Sequence, residues 1–267
     1  MITQLYHGPF EKCSIKPGVV DLIIADPPYD ILKGIEWDKF ENYMDVAKEW
    51  LSICCKILRP GGALLLYGSP CREHIARMTI FLIDHLDMNL VQDIPWVYTQ
   101  GGDSRLHGMK TYAVRHERLV WFEKKNTNSS QALIRTFNPA EAAEHYSEED
   151  RAVALSKGKG RVTNESLNNG RPPRSFIDIP RENSRSVERK YGHHPSMKPL
   201  KLCERLIKVH SNPKDLVVIP FAGSGSELLS VAKLGRKSIG YELEPSYVEL
   251  IKKRFEGHDT ELIIYNT

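Results

Sequence analysis

The stretch from Val19 to Ser69 constrains the fold more than any other part of the chain. It opens with an apolar run, Val19-Val20-Asp21-Leu22-Ile23-Ile24-Ala25, that reads as a buried strand. A helix is expected over about Glu41 to Leu58, because Tyr43, Val46, Ala47, Trp50, Leu51, Cys54 and Leu58 recur at helical spacing, and Arg59-Pro60-Gly61-Gly62 stops it. A second buried run, Ala63 to Ser69, comes next. Two apolar strands joined through a helix pair in parallel, so the chain builds an α/β sheet.

The remaining segments extend the same pattern. Thr3 to His7 is a short strand candidate, about Cys71 to His85 a second helix, and Asp93 to Tyr98 and Glu117 to Glu123 two more strands. From Lys124 to about Gly192 the hydrophobic periodicity collapses into Asn, Ser, Gly, Pro and basic residues, which marks an insertion rather than a core element. Order returns with a helix carrying Leu202, Leu206 and Val209 on one face. A strand at Leu216 to Phe221, a helix ending near Leu234, a strand at Ser238 to Glu242, a basic helix from about Pro245 to Phe255 and a run at Glu261 to Tyr265 complete the chain.

The first buried strand ends on Asp26-Pro27-Pro28-Tyr29. The prolines fix φ and remove two backbone donors, which leaves the Pro27 carbonyl free to accept beside the Asp26 carboxylate, with the Tyr29 ring placed to stack. Two acceptors facing one spot suit an exocyclic amino group on a planar ring. The plainer reading is a loop aspartate followed by a Pro-Pro turn.

A chain of 267 residues can bury a sizeable core, in one large α/β domain with an insertion or in two small domains. No apolar run approaches the ~20 residues of a membrane span, and the amino terminus shows no signal pattern, so the cytoplasm is the expected compartment, that of a host cell if the chain is viral. The five cysteines are odd in number and lack metal-ligand spacing, which points to free thiols and to no metal site. The net charge of +3 is unevenly spread: between Arg151 and Lys190 ten Lys/Arg stand against four acids. A local basic excess of that size suits phosphate contacts with nucleic acid, or a solvated loop.

At the far end of the chain the strand closing on Pro220-Phe221 runs into Ala222-Gly223-Ser224-Gly225-Ser226 and a helix. Glycines at such a turn let a ligand approach the backbone amides closely. Glu242, 17 residues after Gly225 and at the end of the next strand, is placed to accept from ribose hydroxyls, which implies a nucleoside cofactor. Leu228 stands where a dinucleotide fingerprint wants its third glycine, and no Walker lysine follows, so NAD and ATP are disfavoured.

Taken together, Asp26-Pro27-Pro28-Tyr29, Leu58-Arg59-Pro60-Gly61-Gly62, Arg115-His116-Glu117, His194-Pro195-Ser196-Met197-Lys198-Pro199, Pro220-Phe221-Ala222-Gly223-Ser224-Gly225 and Gly240-Tyr241-Glu242 occur in an order that resembles the DNA amino-methyltransferases of the circularly permuted β group. The resemblance spans nearly all of the chain outside about 125 to 170. It implies a Rossmann-like S-adenosylmethionine-dependent methyltransferase fold with a mostly parallel seven-stranded sheet, helices on both faces and an inserted target-recognition region. It divides the chain into a catalytic half (1–124), the recognition insertion (125–192) and a cofactor-binding half (193–267). It further implies S-adenosylmethionine as methyl donor, double-stranded DNA as partner and a flipped target base.

Carried over residue by residue, the resemblance gives Asp26 and the Pro27 carbonyl the target amino group, Pro28 the rigidity of the turn and Tyr29 the stacked base. Phe221, Gly223, Ser224 and Gly225 would line the cofactor, Glu242 would bind its ribose, and Ser196 and Lys198 would lie by its methionine end. Three residues depart from the family pattern: Ile219 replaces an acid before Pro-Phe, Gly8-Pro9 stands where many members carry Gly-Asp, and Met197 replaces a glutamine. Asp26 at the head of the tetrapeptide favours adenine as target. Cytosine-N4 methylation and a catalytically silent DNA-binding protein are the alternatives.

Several residues carry two readings. Pro70-Cys71 is the nucleophile dipeptide of cytosine-C5 enzymes, but those place their cofactor glycines before it, the reverse of the order here. Trp37 belongs either to a loop over the flipped base or to an anchor at the sheet edge. His116 reads as a structural histidine. Arg171 and Arg174 either touch phosphate or keep a proline-rich loop soluble.

Overall fold

The run closed by Asp26 is the central strand of a computed structural model that describes residues 2–31, 38–98, 110–126, 135–144, 146–157, 163–182 and 186–267. In chain order the elements are β1 (Thr3–His7), β2 (Val20–Ala25), α1 (Tyr43–Ile57), β3 (Leu58–Gly68), α2 (His74–His85), β4 (Met88–Asp93), β5 (Trp96–Val97), β6 (His116–Lys124), α3 (Glu148–Lys157), α4 (Asn164–Asn168), β7 (Ile177–Asp178), α5 (Leu200–His210), β8 (Leu216–Ile219), α6 (Ser226–Lys233), β9 (Lys237–Glu242), α7 (Pro245–Gly257) and β10 (Leu262–Asn266). The expected helix over Glu41 to Leu58 is α1, shortened at its start. Trp37, Gln100-Gly101-Gly102-Asp103, Lys159, Arg161 and Arg185 lie outside the described residues.

The strands form one sheet in the order β10-β1-β9-β8-β2-β3-β6-β5-β7, with β4 alongside β6. From β10 to β3 every pair is parallel, and β6 turns antiparallel against β3. Among the described residues the sheet has ten strands rather than the expected seven. Part of the excess is local: the expected strand Asp93 to Tyr98 holds only the short β5, because Pro95 has no amide to give the ladder, and β4, which ends at Asp93, is an additional strand. The Pro95 carbonyl instead accepts from the Ile177 amide (2.9 Å), which brings β7 in as the outermost strand.

Helices cover both faces, as the apolar periodicities demand. Leu202, Leu206 and Ile207 of α5, Leu228 and Val231 of α6 and Ile251 and Phe255 of α7 pack on one side, against Leu22, Ile24, Val217 and Ile219. Ala47, Trp50 and Leu51 of α1 and Met78 and Leu82 of α2 pack on the other, against Ile23, Leu64, Leu66 and Val218. Each fully buried side chain of this kind contributes about 1.5–3 kcal/mol. Strand β3 begins directly after α1, and Gly62 sits where the register of β2 and β3 slips; a Cβ there would lie 2.9 Å from the Arg59 carbonyl oxygen and 3.0 Å from that of Val20. Asp21 ties three strand starts together, accepting from Arg59 Nε (2.6 Å) and from the Leu216 amide (2.9 Å).

The segment 125–192 does not stay outside the core, contrary to the reading of its composition. Ile177 and Ile179 join the first cluster, and the Trp96 indole donates to the Ile179 carbonyl (2.7 Å). A two-residue strand is too short to register as periodicity. Farther back, Asn138 caps α5: its amide donates to the Val209 carbonyl (2.8 Å) and its side chain to those of Lys208 (3.0 Å) and Ser211 (3.2 Å). Arg171 and Arg174 are engaged within the protein, Arg171 with Asp150 (3.0 Å) and the Tyr146 ring, Arg174 with Glu144 (2.9 Å) and the Phe176 ring. The cysteines are free thiols. Among the described residues no helix is long and apolar enough to cross a membrane.

At the end of α5 the His210 ring is buried edge-on to Trp121, with centroids 4.5 Å apart. Burial pushes its pKa down to about 3 from 6.5. Below pH 6.5 the unfolded chain therefore takes up a proton that the native state refuses, and stability falls with pH by at most about 1.4 kcal/mol per unit. Replacing His210 by Phe should flatten thermal melting midpoints between pH 6.5 and 4; an unchanged slope would place the acid sensitivity elsewhere.

Candidate active site

Strands β2 and β8 are neighbours, yet the chain leaves β2 toward β3 and leaves β8 toward β9. Such a divergence opens a crevice at the carboxyl ends of the strands. Here it is a cavity of about 720 Å³, bordered by Asp26 to Tyr29 on one side and by Phe221 to Ser224 and Glu242 on the other.

The Asp26 carboxylate stands at the end of β2 with both oxygens engaged. Tyr29 Oη donates to Oδ1 (2.5 Å) and Lys198 Nζ to Oδ2 (2.6 Å). Each oxygen keeps a lone pair for a further donor. Glu117, on β6, completes the group with its Oε2 3.2 Å from Lys198 Nζ and 3.1 Å from Tyr29 Oη. Lys198 is 3% exposed. Burial alone would lower its pKa, but Asp26 and then Glu117 outweigh burial and hold the ammonium well above its usual value. Burial, then the same two carboxylates, raise the Tyr29 phenol, so it stays a donor.

The tetrapeptide is braced from behind. Tyr43 Oη, on α1, donates to the Pro28 carbonyl (2.9 Å). Asp30 adopts the left-handed region at φ 55°, and Asp38 holds it there by accepting from the amides of Asp30 (2.9 Å) and Ile31 (2.7 Å).

On the other side, Gly223 (φ 51°) and Gly225 (φ 78°) turn β8 into α6. Glu242 accepts from the Gly223 amide (2.6 Å) through Oε2 and from the Glu244 amide (2.9 Å) through Oε1, and burial raises its pKa to about 7. Phe221 packs edge-on against Trp50, at 5.2 Å. Buried Arg254 of α7 secures the turn, donating from Nη1 to the Ser224 carbonyl (2.6 Å) and Ser226 Oγ (3.0 Å) and from Nη2 to Glu188 (2.7 Å). His194, whose pKa burial and then Lys198 push down to about 3, remains a neutral ring against Tyr247.

The structure brings most of the expected site residues to this one cavity. Asp26, Pro27, Pro28, Tyr29, Phe221, Gly223, Ser224, Glu242, Ser196 and Lys198 all border it. Gly225 does not: it caps α6 in a left-handed conformation, and a Cβ there would meet Ile251 Cγ1 at 2.8 Å, so it serves the packing of α7 on the turn. Lys198, expected at the methionine end of a cofactor, is hydrogen-bonded to Asp26 of the tetrapeptide. Of the three departures, Ile219 is a core residue, whereas Pro9 and Met197 border the cavity, with Glu11 bringing a carboxylate two residues beyond Pro9. His116 and exposed Cys71 lie on its rim. In the sequence Glu117 shows only as part of a strand-start motif, and neither Glu227 nor Tyr43 is given a role; an acid in the first turn behind a glycine-rich loop is the signal that could have found Glu227.

The fit to a nucleoside-type cofactor rests on the acid–glycine pair: a carboxylate with free lone pairs at one strand end, beside a turn whose amide it orients. The model of the N6/N4-type DNA methylase family matches residues 20–253. The chain belongs to this family. It is 29% identical over 257 residues to the type II methyltransferase M.HpaI of Haemophilus parainfluenzae, a match covering 92% of this chain and 73% of the relative. It is 25% identical over 264 residues to the type II methyltransferase M2.DpnII of Streptococcus pneumoniae, covering 92% and 85%. Among solved structures, the cytosine-N4-specific PvuII DNA methyltransferase superposes with a TM-score of 0.71 at 20% identity, covering 95% of this chain and 88% of that one. M1.HpyAVI, solved in complex with SAM, superposes with 0.64 at 25% identity, covering 96% and 99%. The methylase thus has the Rossmann-like methyltransferase fold that its motifs imply.

Lys198 is the cation that makes two neighbouring carboxylates tolerable in the methylase. Replacing it by Met should cost about 3 kcal/mol of stability at pH 8. Urea denaturation checks this, and a loss below about 1 kcal/mol would count against an uncompensated buried charge as the cause.

Proposed function

We propose that this DNA methylase is a site-specific adenine-N6 methyltransferase that uses S-adenosylmethionine. The observation that carries the reading is the Asp26 carboxylate, oriented between Tyr29 and Lys198 at the strand end beside the glycine turn. The SAM complex of M1.HpyAVI supports the choice of cofactor, and the aspartate at the head of the tetrapeptide supports adenine over cytosine.

In this reading Glu242 accepts from the ribose hydroxyls, Phe221 packs on the cofactor, Gly223 and Ser224 give it close backbone contact, and Ser196 borders its amino-acid end. The cofactor supplies an electrophilic methyl group on a sulfonium sulfur. An exocyclic amine conjugated to its ring is a poor nucleophile. Asp26 and the Pro27 carbonyl accept its two N–H bonds and favour a pyramidal nitrogen, whose lone pair then faces the methyl carbon; Pro28 keeps the turn rigid. Tyr29 stacks on the base, offsetting part of the few kcal/mol needed to take it out of the duplex. Catalysis is orientation plus electrostatics, with no covalent enzyme intermediate. Segment 125–192 is the target-recognition region, its basic residues contacting duplex phosphates.

Incubation with labelled S-adenosylmethionine and duplex DNA, followed by nucleoside analysis, is expected to yield N6-methyladenine; methylated cytosine alone would overturn the choice of base. Asp26→Ala should lower methylation at least ~100-fold, the scale of losing one oriented electrostatic contact, with cofactor dissociation constants changed by no more than about threefold. Retained activity in that variant would remove the mechanism.

A further inference from the structure

Glu227 is a buried carboxyl in the cavity wall that the mechanism leaves unused. It sits in the first turn of α6, 5% exposed, and borders the same cavity as Asp26, Tyr29 and Lys198. Among the described residues its Oε1 has no hydrogen-bond partner, and neither has the buried hydroxyl of Tyr67. The groups that face Glu227 electrostatically come from every side: Asp26 at the end of β2, Lys198, Arg254 on α7, Tyr67 on β3 and Cys203 on α5.

The local charge count explains why this carboxyl is unusual. Lys198 already answers Asp26 and Glu117, and Arg254 is engaged by Glu188. An ionised Glu227 would add a third carboxylate to one buried ammonium. Burial first, and then Asp26, raise its pKa to about 7. A cation entering the cavity reverses that balance, because the extra negative charge then has a partner.

We propose that Glu227 is a charge-keyed proton switch: it holds a proton while the cavity contains a neutral occupant and releases it when a sulfonium cation binds. The proposal deepens the reading above and rests on it. The proton count closes over a turnover. Transfer forms the N–C bond and breaks the C–S bond, with the electron pair left on sulfur. The cationic charge of the site is thereby lost and the target amine sheds one proton, as the Glu227 carboxylate becomes able to regain one. Product, a neutral thioether, then leaves a site already returned to its resting charge.

Calorimetry of the full chain tests this, with S-adenosylmethionine and its neutral thioether product S-adenosylhomocysteine titrated at pH 7 in buffers of different ionisation enthalpy. The sulfonium should release about 0.5 proton more than the thioether, as expected for a group half-titrated at that pH. Release from Glu242 that follows from its ribose contacts is common to both ligands and cancels. The difference should vanish in Glu227→Gln. Equal release for the two ligands in the wild type, or an undiminished difference in the variant, would overturn the proposal. Should the variant fail to fold, the wild-type ratio of thioether to sulfonium dissociation constants decides: it should rise about tenfold between pH 5.5 and 7, a range below the titration of the ligands' own amines, and a flat ratio overturns the switch. Absence of binding by both ligands would instead overturn the proposed cofactor and function.

Discussion

The site depends on one buried ammonium. Lys198 joins Asp26, at the end of a central parallel strand, to Glu117, on the antiparallel extension of the sheet, and it does so from the loop that leads into α5. Three segments far apart in sequence therefore meet through a single charge. Two partly buried carboxylates this close would repel without it, and burying such charges costs several kcal/mol each unless they are paired and hydrogen-bonded. The Tyr29 phenol and Lys198 satisfy one oxygen of Asp26 each, and the carboxylate keeps its orientation as a result.

The sheet supplies the second constraint. Because β2 and β8 pair directly and their chains diverge, the acidic tetrapeptide and the glycine turn share one crevice although about 200 residues separate them. Asp21 holds the starts of β2, β3 and β8 in register at one end. At the other, the Arg254–Glu188 pair fastens the last part of the 125–192 segment to the Ser224 carbonyl. The end of the segment proposed to read DNA is thus linked through Arg254 to the turn proposed to hold the cofactor.

Much of this was legible in the chain, for reasons that differ from residue to residue. Buried parallel strands are continuous apolar runs, so β2, β3 and β8 could be read directly. Asp26 and Glu242 stood out as acids closing such runs, and Gly223 as the glycine of a sharp strand-to-helix turn. The two-residue strand β7 could not be read, since a period needs length, and β5 was read only as part of a longer run that Pro95 interrupts. Gly225 illustrates another limit: its turn conformation is local and was expected, whereas its neighbour Ile251 belongs to a helix more than 20 residues away. Lys198 shows the limit most clearly, because a lysine in a loop motif carries no mark of which carboxylate it will meet.

The sequence by itself determined most of the longer elements, the alternation that makes the sheet parallel, and the chemical types at the ends of β2 and β9, because these depend on short-range periodicity and local backbone preference. Only the tertiary structure decided the strand neighbours, the partner of Lys198, the entry of Ile177 and Ile179 into the core and the isolation of Glu227 among other charges. Those are long-range matters of burial and electrostatics. A carboxylate in a helix reads as one more exposed acid until packing removes its water and leaves its charge to be balanced by what enters the cavity.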